Sequence, residues 1–105
     1  MATKADLARV LERHIGADNG ISAEAIARIL DCEPRIVRTL VTELRDEGVA
    51  VCGHPAHGYF IAATPEELSA TCQFLRSRAM HSLVLESKLS RIPLAELLGQ
   101  LRLPN

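Results

Sequence analysis

The chain has 105 residues, with 12 Lys+Arg against 13 Asp+Glu and a formal charge of -1, so no overall cationic field draws it to nucleic acid and any basic patch has to be local. Apolar residues make up 48% but aromatics only 3%, with no Trp, which points to one domain, or one small domain with an appendage, built mainly from helices around Leu, Ile, Val and Ala. Cys32, Cys52 and Cys72 are odd in number, widely spaced and without a secretory segment, and charges interrupt every apolar run short of the ~18–20 residues a bilayer span needs; no disulfide framework is implied, no membrane-spanning helix is expected, and a cytoplasmic location is the expectation.

The first predicted element is an amphipathic helix from Ala5 to His14, with Leu7, Val10, Leu11 and Ile15 at helical spacing and Lys4, Arg9, Glu12 and Arg13 opposite. Asp18-Asn19-Gly20 breaks it. Ser22 is an N-cap for a two-turn helix over Ala23–Leu30, whose apolar stripe is Ile26, Ile29 and Leu30 and whose Glu24 suits the positive helix start. Asp31-Cys32-Glu33 is a three-residue turn. Pro34 fits the first position of the next helix, Pro34–Glu47, because the N–H it lacks has no partner there. At ~100° per residue, Val37, Leu40, Val41 and Leu44 point inward and Arg35, Thr39, Thr42 and Asp46 outward, with Arg38 and Arg45 flanking. Gly48 ends this helix as a left-handed cap.

Val49–Cys52 and Tyr59–Ile61 are β-rich runs around the hairpin loop Gly53-His54-Pro55-Ala56-His57-Gly58, and two strands alone are marginal, so they must lean on the helices. Thr64-Pro65-Glu66-Glu67 is a capping box with proline in the first turn, opening a longer helix that runs to about Lys88. Leu68, Cys72, Leu75, Ala79, Leu83 and Glu86 recur along it at spacings of three and four, with Phe74, Met80, Val84 and Leu85 beside that seam. Ser90-Arg91-Ile92-Pro93 breaks the run, and Leu94–Leu101 forms a short final helix with Leu94, Leu97, Leu98 and Leu101 on one side.

Two short helices around a tight turn, followed by a glycine stop and a hairpin, are the order of a winged helix-turn-helix, whose second helix suits a DNA major groove. The pattern Leu44-Arg45-Asp46-x-Gly48-Val49-x-Val51, then Pro55-x-x-Gly58-Tyr59, resembles the amino-terminal winged helix-turn-helix domain of the biotin repressor family. It is also similar to small phage and prophage winged-helix proteins in which a Gly-Tyr strand leads into a Glu-Glu-rich helix, here Gly58-Tyr59 and Glu66-Glu67. The expected fold is α+β and mostly α: a winged helix-turn-helix of three helices and a two-stranded wing over residues 1–63, then a helical extension over 64–105 that serves dimerisation or partner binding. The resemblance implies a recognition helix at Pro34–Glu47 and a wing loop at His54–His57. It implies sequence-specific duplex DNA binding by a transcriptional or phage-type replication regulator, through Arg35, Arg38, Thr39, Thr42, Arg45, His54 and His57. It carries over neither biotin binding nor ligase activity.

Several features have plainer readings. Residues 1–48 hold 7 basic and 9 acidic groups, so Arg35, Arg38 and Arg45 also fit a solvated face paired with Glu33, Glu43 and Asp46, and a protein-binding adaptor is the alternative function. The wing carries no Lys or Arg; His54 and His57 are its only potential cations, and they are simple loop residues unless mild acid charges them. Cys52-x-His54-x-x-His57 offers three zinc-type ligands, but a strand cysteine and wing-loop histidines are better placed in the core and in solvent, and no metal or other cofactor is expected. No catalytic motif is present, so an enzyme is not expected. The leucine seam at Leu68, Cys72, Leu75, Ala79 and Leu83 is expected to pair two copies, because a helix this long needs a partner surface for its apolar side chains.

Overall fold

The computed structural model describes residues 1–101; residues 102–105, the end of the extension expected over 64–105, lie outside the described residues. The protein is α+β and mostly helical, in the order α1 (Lys4–Leu11), a 3-10 turn (Ala17–Asn19), α2 (Ala23–Leu30), α3 (Pro34–Asp46), β1 (Val51–His54), β2 (Gly58–Ile61), α4 (Pro65–Ser90) and α5 (Leu94–Gln100). None of the described helices is long and apolar enough to cross a membrane. The chain divides into two compact units, Met1–Thr71 and the residues from Cys72 onward.

In the first unit, α1, α2 and α3 enclose a core of Leu7, Leu11, Ala23, Ile26, Ala27, Val37, Leu40, Val41 and Leu44, closed on the strand side by Val51. Helix α1 begins one residue earlier than expected. Thr3 makes a capping box, its Oγ1 accepting the Asp6 N–H at 3.3 Å while Asp6 Oδ2 accepts the Thr3 N–H at 2.9 Å. The helix also stops three residues early, at Leu11 rather than His14, because the chain beyond it is drawn onto β2. Gly16 N–H donates to the Ile61 carbonyl and Ile61 N–H to that of His14, both at 2.8 Å. Ile21 and Tyr59 exchange both of their backbone hydrogen bonds, at 2.9 and 2.7 Å. These pairings to a distant strand outweigh the local helical spacing that placed Ile15 in α1.

Helix α2 buries Ala23, Ile26 and Ala27, and Ile29 is not part of its apolar stripe: it is 60% exposed. At 100° per residue Ile29 sits about 110° round the helix from the centre of the buried face, so its hydrophobicity misled the sequence reading where its angle did not. Asp31 ends α2 in the left-handed region at φ 53, where Asp is among the few non-glycine residues tolerated, and Cys32 N–H closes the turn on the Ala27 carbonyl at 3.0 Å. At the end of α3, Gly48 at φ 85 completes a Schellman motif. Val49 N–H reaches Leu44 O at 3.0 Å and Gly48 N–H reaches Arg45 O at 2.9 Å.

The strands sit two residues later in β1 and start one residue earlier in β2 than their β-rich runs, pairing Val51 with Ile61, Cys52 with Phe60, Gly53 with Tyr59 and His54 with Gly58. Alternation sends Val51, Tyr59 and Ile61 toward the helical core and buries Cys52 and Phe60 on the opposite face. There the Cys52 thiol, 0% exposed, lies 3.6 Å from the Glu67 carbonyl in the first turn of α4. His57 N–H closes the hairpin turn on the His54 carbonyl at 3.1 Å, and Gly58 follows at φ 74. Gly58 also passes directly over the Ile21 carbonyl, so a Cβ there has no room.

The start of α4 is tied to the same region. Thr64 Oγ1 accepts the Glu67 N–H at 3.2 Å, as a capping residue should. The Glu67 carboxylate, however, reaches across the chain, accepting Ala63 N–H at 2.7 Å with Oε1 and Ala17 N–H at 2.8 Å with Oε2. These bonds, that from Ala17 foremost, hold its pKa below the ordinary 4.5.

In the second unit, Met80, Leu83, Val84 and Ser87 are the half-buried residues on one side of α4, Leu97 of α5 is buried, and Ser87 Oγ donates to the Ile92 carbonyl at 2.6 Å. Arg91, in the left-handed region at φ 59, ends α4 two residues past the expected Lys88.

Gly58→Ala is expected to lower stability by more than about 1 kcal/mol, read as a fall in the urea midpoint, since it combines left-handed strain with a blocked approach. For Glu67, the depressed folded pKa means its stabilisation is complete above about pH 4.5 and is lost as pH falls through the folded value. Glu67→Gln is therefore expected to be less stable than the parent at pH 7 and to lose less on acidification below pH 4.5, as followed by thermal unfolding at a series of pH values.

Candidate nucleic-acid interface

With Val37, Leu40, Val41 and Leu44 turned into the core, α3 leaves Arg35, Arg38, Thr39 and Thr42 exposed along one side. Its N-terminal half is basic and hydroxyl-bearing. Its C-terminal half is acidic, with Glu43, Asp46 and the following Glu47 all exposed. Arg35 Nε is paired with Glu33 Oε2 at 2.6 Å across an open surface, and this hydrogen bond and charge raise the Arg35 pKa. The Arg38 guanidinium has no ion-pair or hydrogen-bond partner among the described residues. Thr39 Oγ1 donates to the Arg35 carbonyl at 3.3 Å and Thr42 Oγ1 to the Arg38 carbonyl at 3.2 Å, so each hydroxyl proton is spent on its own helix and the side chain presents a methyl and lone pairs outward.

Arg45, grouped with these residues in the sequence reading, has a structural task as well. It is half-buried, and its Nε donates to the Val51 carbonyl at 2.8 Å, joining the last turn of α3 to β1. Nothing local to residue 45 signals this bond, because it depends on where β1 runs. His54 and His57 are exposed in the hairpin loop with ring centroids 5.3 Å apart, and His54 Nδ1 accepts the Ala56 N–H at 3.0 Å. Cys52 does not join them, since its thiol is buried against Glu67, and no cluster of three or more His, Cys, Asp or Glu suited to a metal occurs among the described residues.

Of the seam residues on α4, Leu68, Cys72, Leu75 and Ala79 are exposed. Leu83 is not on their stripe: it is half-buried with Met80, Val84 and Ser87, and the exposed stripe continues instead through Ser82, Glu86 and Leu89. The sequence reading missed this because Leu83 falls between the two faces in helical angle.

No protein family, no curated protein and no solved structure matches this chain.

Replacing Arg45 with Ala is expected to cost about 1 kcal/mol through loss of its bond to Val51, while Arg38→Ala stays within about 0.5 kcal/mol of the parent in denaturant titrations. Equal effects of the two changes would mean that Arg45 does not brace β1.

Proposed function

We propose that residues 1–63 are a winged helix-turn-helix and that the protein binds duplex DNA sequence-specifically, as a cytoplasmic transcriptional or phage-type replication regulator acting as a homodimer through α4. In this reading α2 and α3 are the helix-turn-helix, α3 lies in the major groove, and the loop His54–His57 is the wing beside a phosphate strand. One observation carries it: the side of α3 bearing Arg35, Arg38, Thr39 and Thr42 is open to solvent while the opposite side is locked into the core.

The chemistry of that face supports the assignment. A recognition helix enters the groove with its N-terminal residues foremost, and here the helix's own first exposed side chains are cationic, with Glu43 and Asp46 toward the C-terminal end and only the N-cap Glu33 ahead of them. Arg38 is free to fork onto a guanine edge or a phosphate, and Arg35 can exchange the solvated Glu33 carboxylate for a phosphate at little cost. Thr39 and Thr42 supply methyl contacts suited to thymine and acceptor lone pairs suited to base amino groups. With a formal charge of -1, affinity has to come from this local patch.

The competing reading, a protein-binding adaptor, draws on the exposed Glu43, Asp46 and Glu47 beside the same arginines, a mixed-charge surface that would suit a polar protein partner. A selection of bound duplexes from random sequence, followed by titration of the selected site at several salt concentrations, separates the two. DNA binding predicts a steep linear fall of log affinity with log salt. Arg35→Ala with Arg38→Ala is expected to weaken the selected duplex by roughly tenfold or more with unchanged stability. Failure of the parent protein to retain any duplex at low salt would sink the proposal.

A further inference from the structure

The dimer in the proposed function leaves the direction of pairing open, and the composition of the exposed stripe on α4 bears on it. From Cys72 to Leu89 that stripe is Cys72, Leu75, Ala79, Ser82, Glu86 and Leu89, all exposed, with Leu75 at 43% and Leu89 at 87%. The alternation of four and three residues is the heptad seam of a two-stranded coiled coil. The second unit's other apolar face, at Met80, Leu83 and Val84, is already half-covered, whereas this stripe is open to solvent, as are Phe74 and Leu85 further round the helix.

Resting on the dimer reading, we infer that the occupant of this stripe is a second copy of the chain laid antiparallel. The carboxylate at Glu86 decides the direction. In a parallel, in-register pair Glu86 faces the partner's Glu86 inside the seam, where two like charges are desolvated together. In the antiparallel pair the layers are Cys72 with Leu89, Leu75 with Glu86 and Ala79 with Ser82, each occurring twice about the two-fold axis. Glu86 then lies beside the partner's Leu75 and the exposed Arg76 that follows it, an opposite charge at the seam's edge. The small Ala79 and Ser82 fall at the centre, where the helices cross most closely. Arg76 and Glu86 cannot meet within one chain, since ten residues of helix separate them by about 15 Å.

Sedimentation of the full chain, combined with oxidative cross-linking of the Leu89→Cys variant and peptide mapping, tests the inference. Leu89 is so exposed that its replacement leaves the fold alone. The expected result is a dimer whose disulfide joins residue 72 of one copy to residue 89 of the other. A dimer cross-linked from 72 to 72 or from 89 to 89, or one that does not cross-link, overturns the antiparallel register while leaving the dimer reading intact; a monomer overturns both. As a second arm, Glu86→Arg is expected to weaken the dimer by roughly tenfold and the further change Arg76→Glu to restore it. An absence of rescue counts against the register, because only an intermolecular pair can be mended by that swap.

Discussion

Strand β2 is hydrogen-bonded along both edges by its own chain, and the arrangement of the first unit depends on that. On one side it pairs with β1; on the other, His14, Gly16 and Ile21 occupy its free N–H and C=O groups with four backbone hydrogen bonds of 2.7–2.9 Å. At about 0.5–1.5 kcal/mol net apiece, these bonds are comparable to what one more turn of α1 would have gained, and they also remove an edge open to aggregation. The consequences spread from there. Helix α1 ends at Leu11, the segment to Ile21 takes an extended course around one 3-10 turn, and residue 58 has to be glycine for Ile21 to approach. The Glu67 carboxylate then fastens the same 3-10 turn to the start of α4 through the Ala17 N–H.

Helix α3 is positioned from this frame at both ends. Its N-terminus follows the left-handed turn at Asp31, and its C-terminus is held by the Schellman motif at Gly48 and by the Arg45 bond to Val51. With four of its side chains buried between these fixed points, the helix cannot rotate about its axis without exposing Val37 or Leu44. The composition of its outward side is therefore a property of the fold and not of a rotamer choice.

What was legible in the sequence is what short-range chemistry determines. The bounds of α2, the proline start of α3 and its glycine stop, and the inward set Val37, Leu40, Val41 and Leu44 all follow from caps and a 3.6-residue period, and with them the exposure of Arg35, Arg38, Thr39 and Thr42. The rest depends on long-range pairing or on helical angle. Ile15 belongs to the flank of β2, Arg45 bonds to a strand six residues ahead, and Glu67 serves Ala17, fifty residues back, as well as its own cap. Ile29 and Leu83 were assigned by hydrophobicity where their angular positions place them off the stripes they seemed to extend.

The burial of Cys52 has a dynamic corollary. Its sulfur is shut beneath the first turn of α4 while Cys72, five residues past Glu67, stands in solvent and Cys32 is intermediate. A thiol reagent can reach residue 52 only during moments when the helix lifts from the hairpin, so the ratio of its modification rate to that of Cys72 reports the free energy of that opening. The three sulfurs thus form an internal gauge of local breathing, graded by depth.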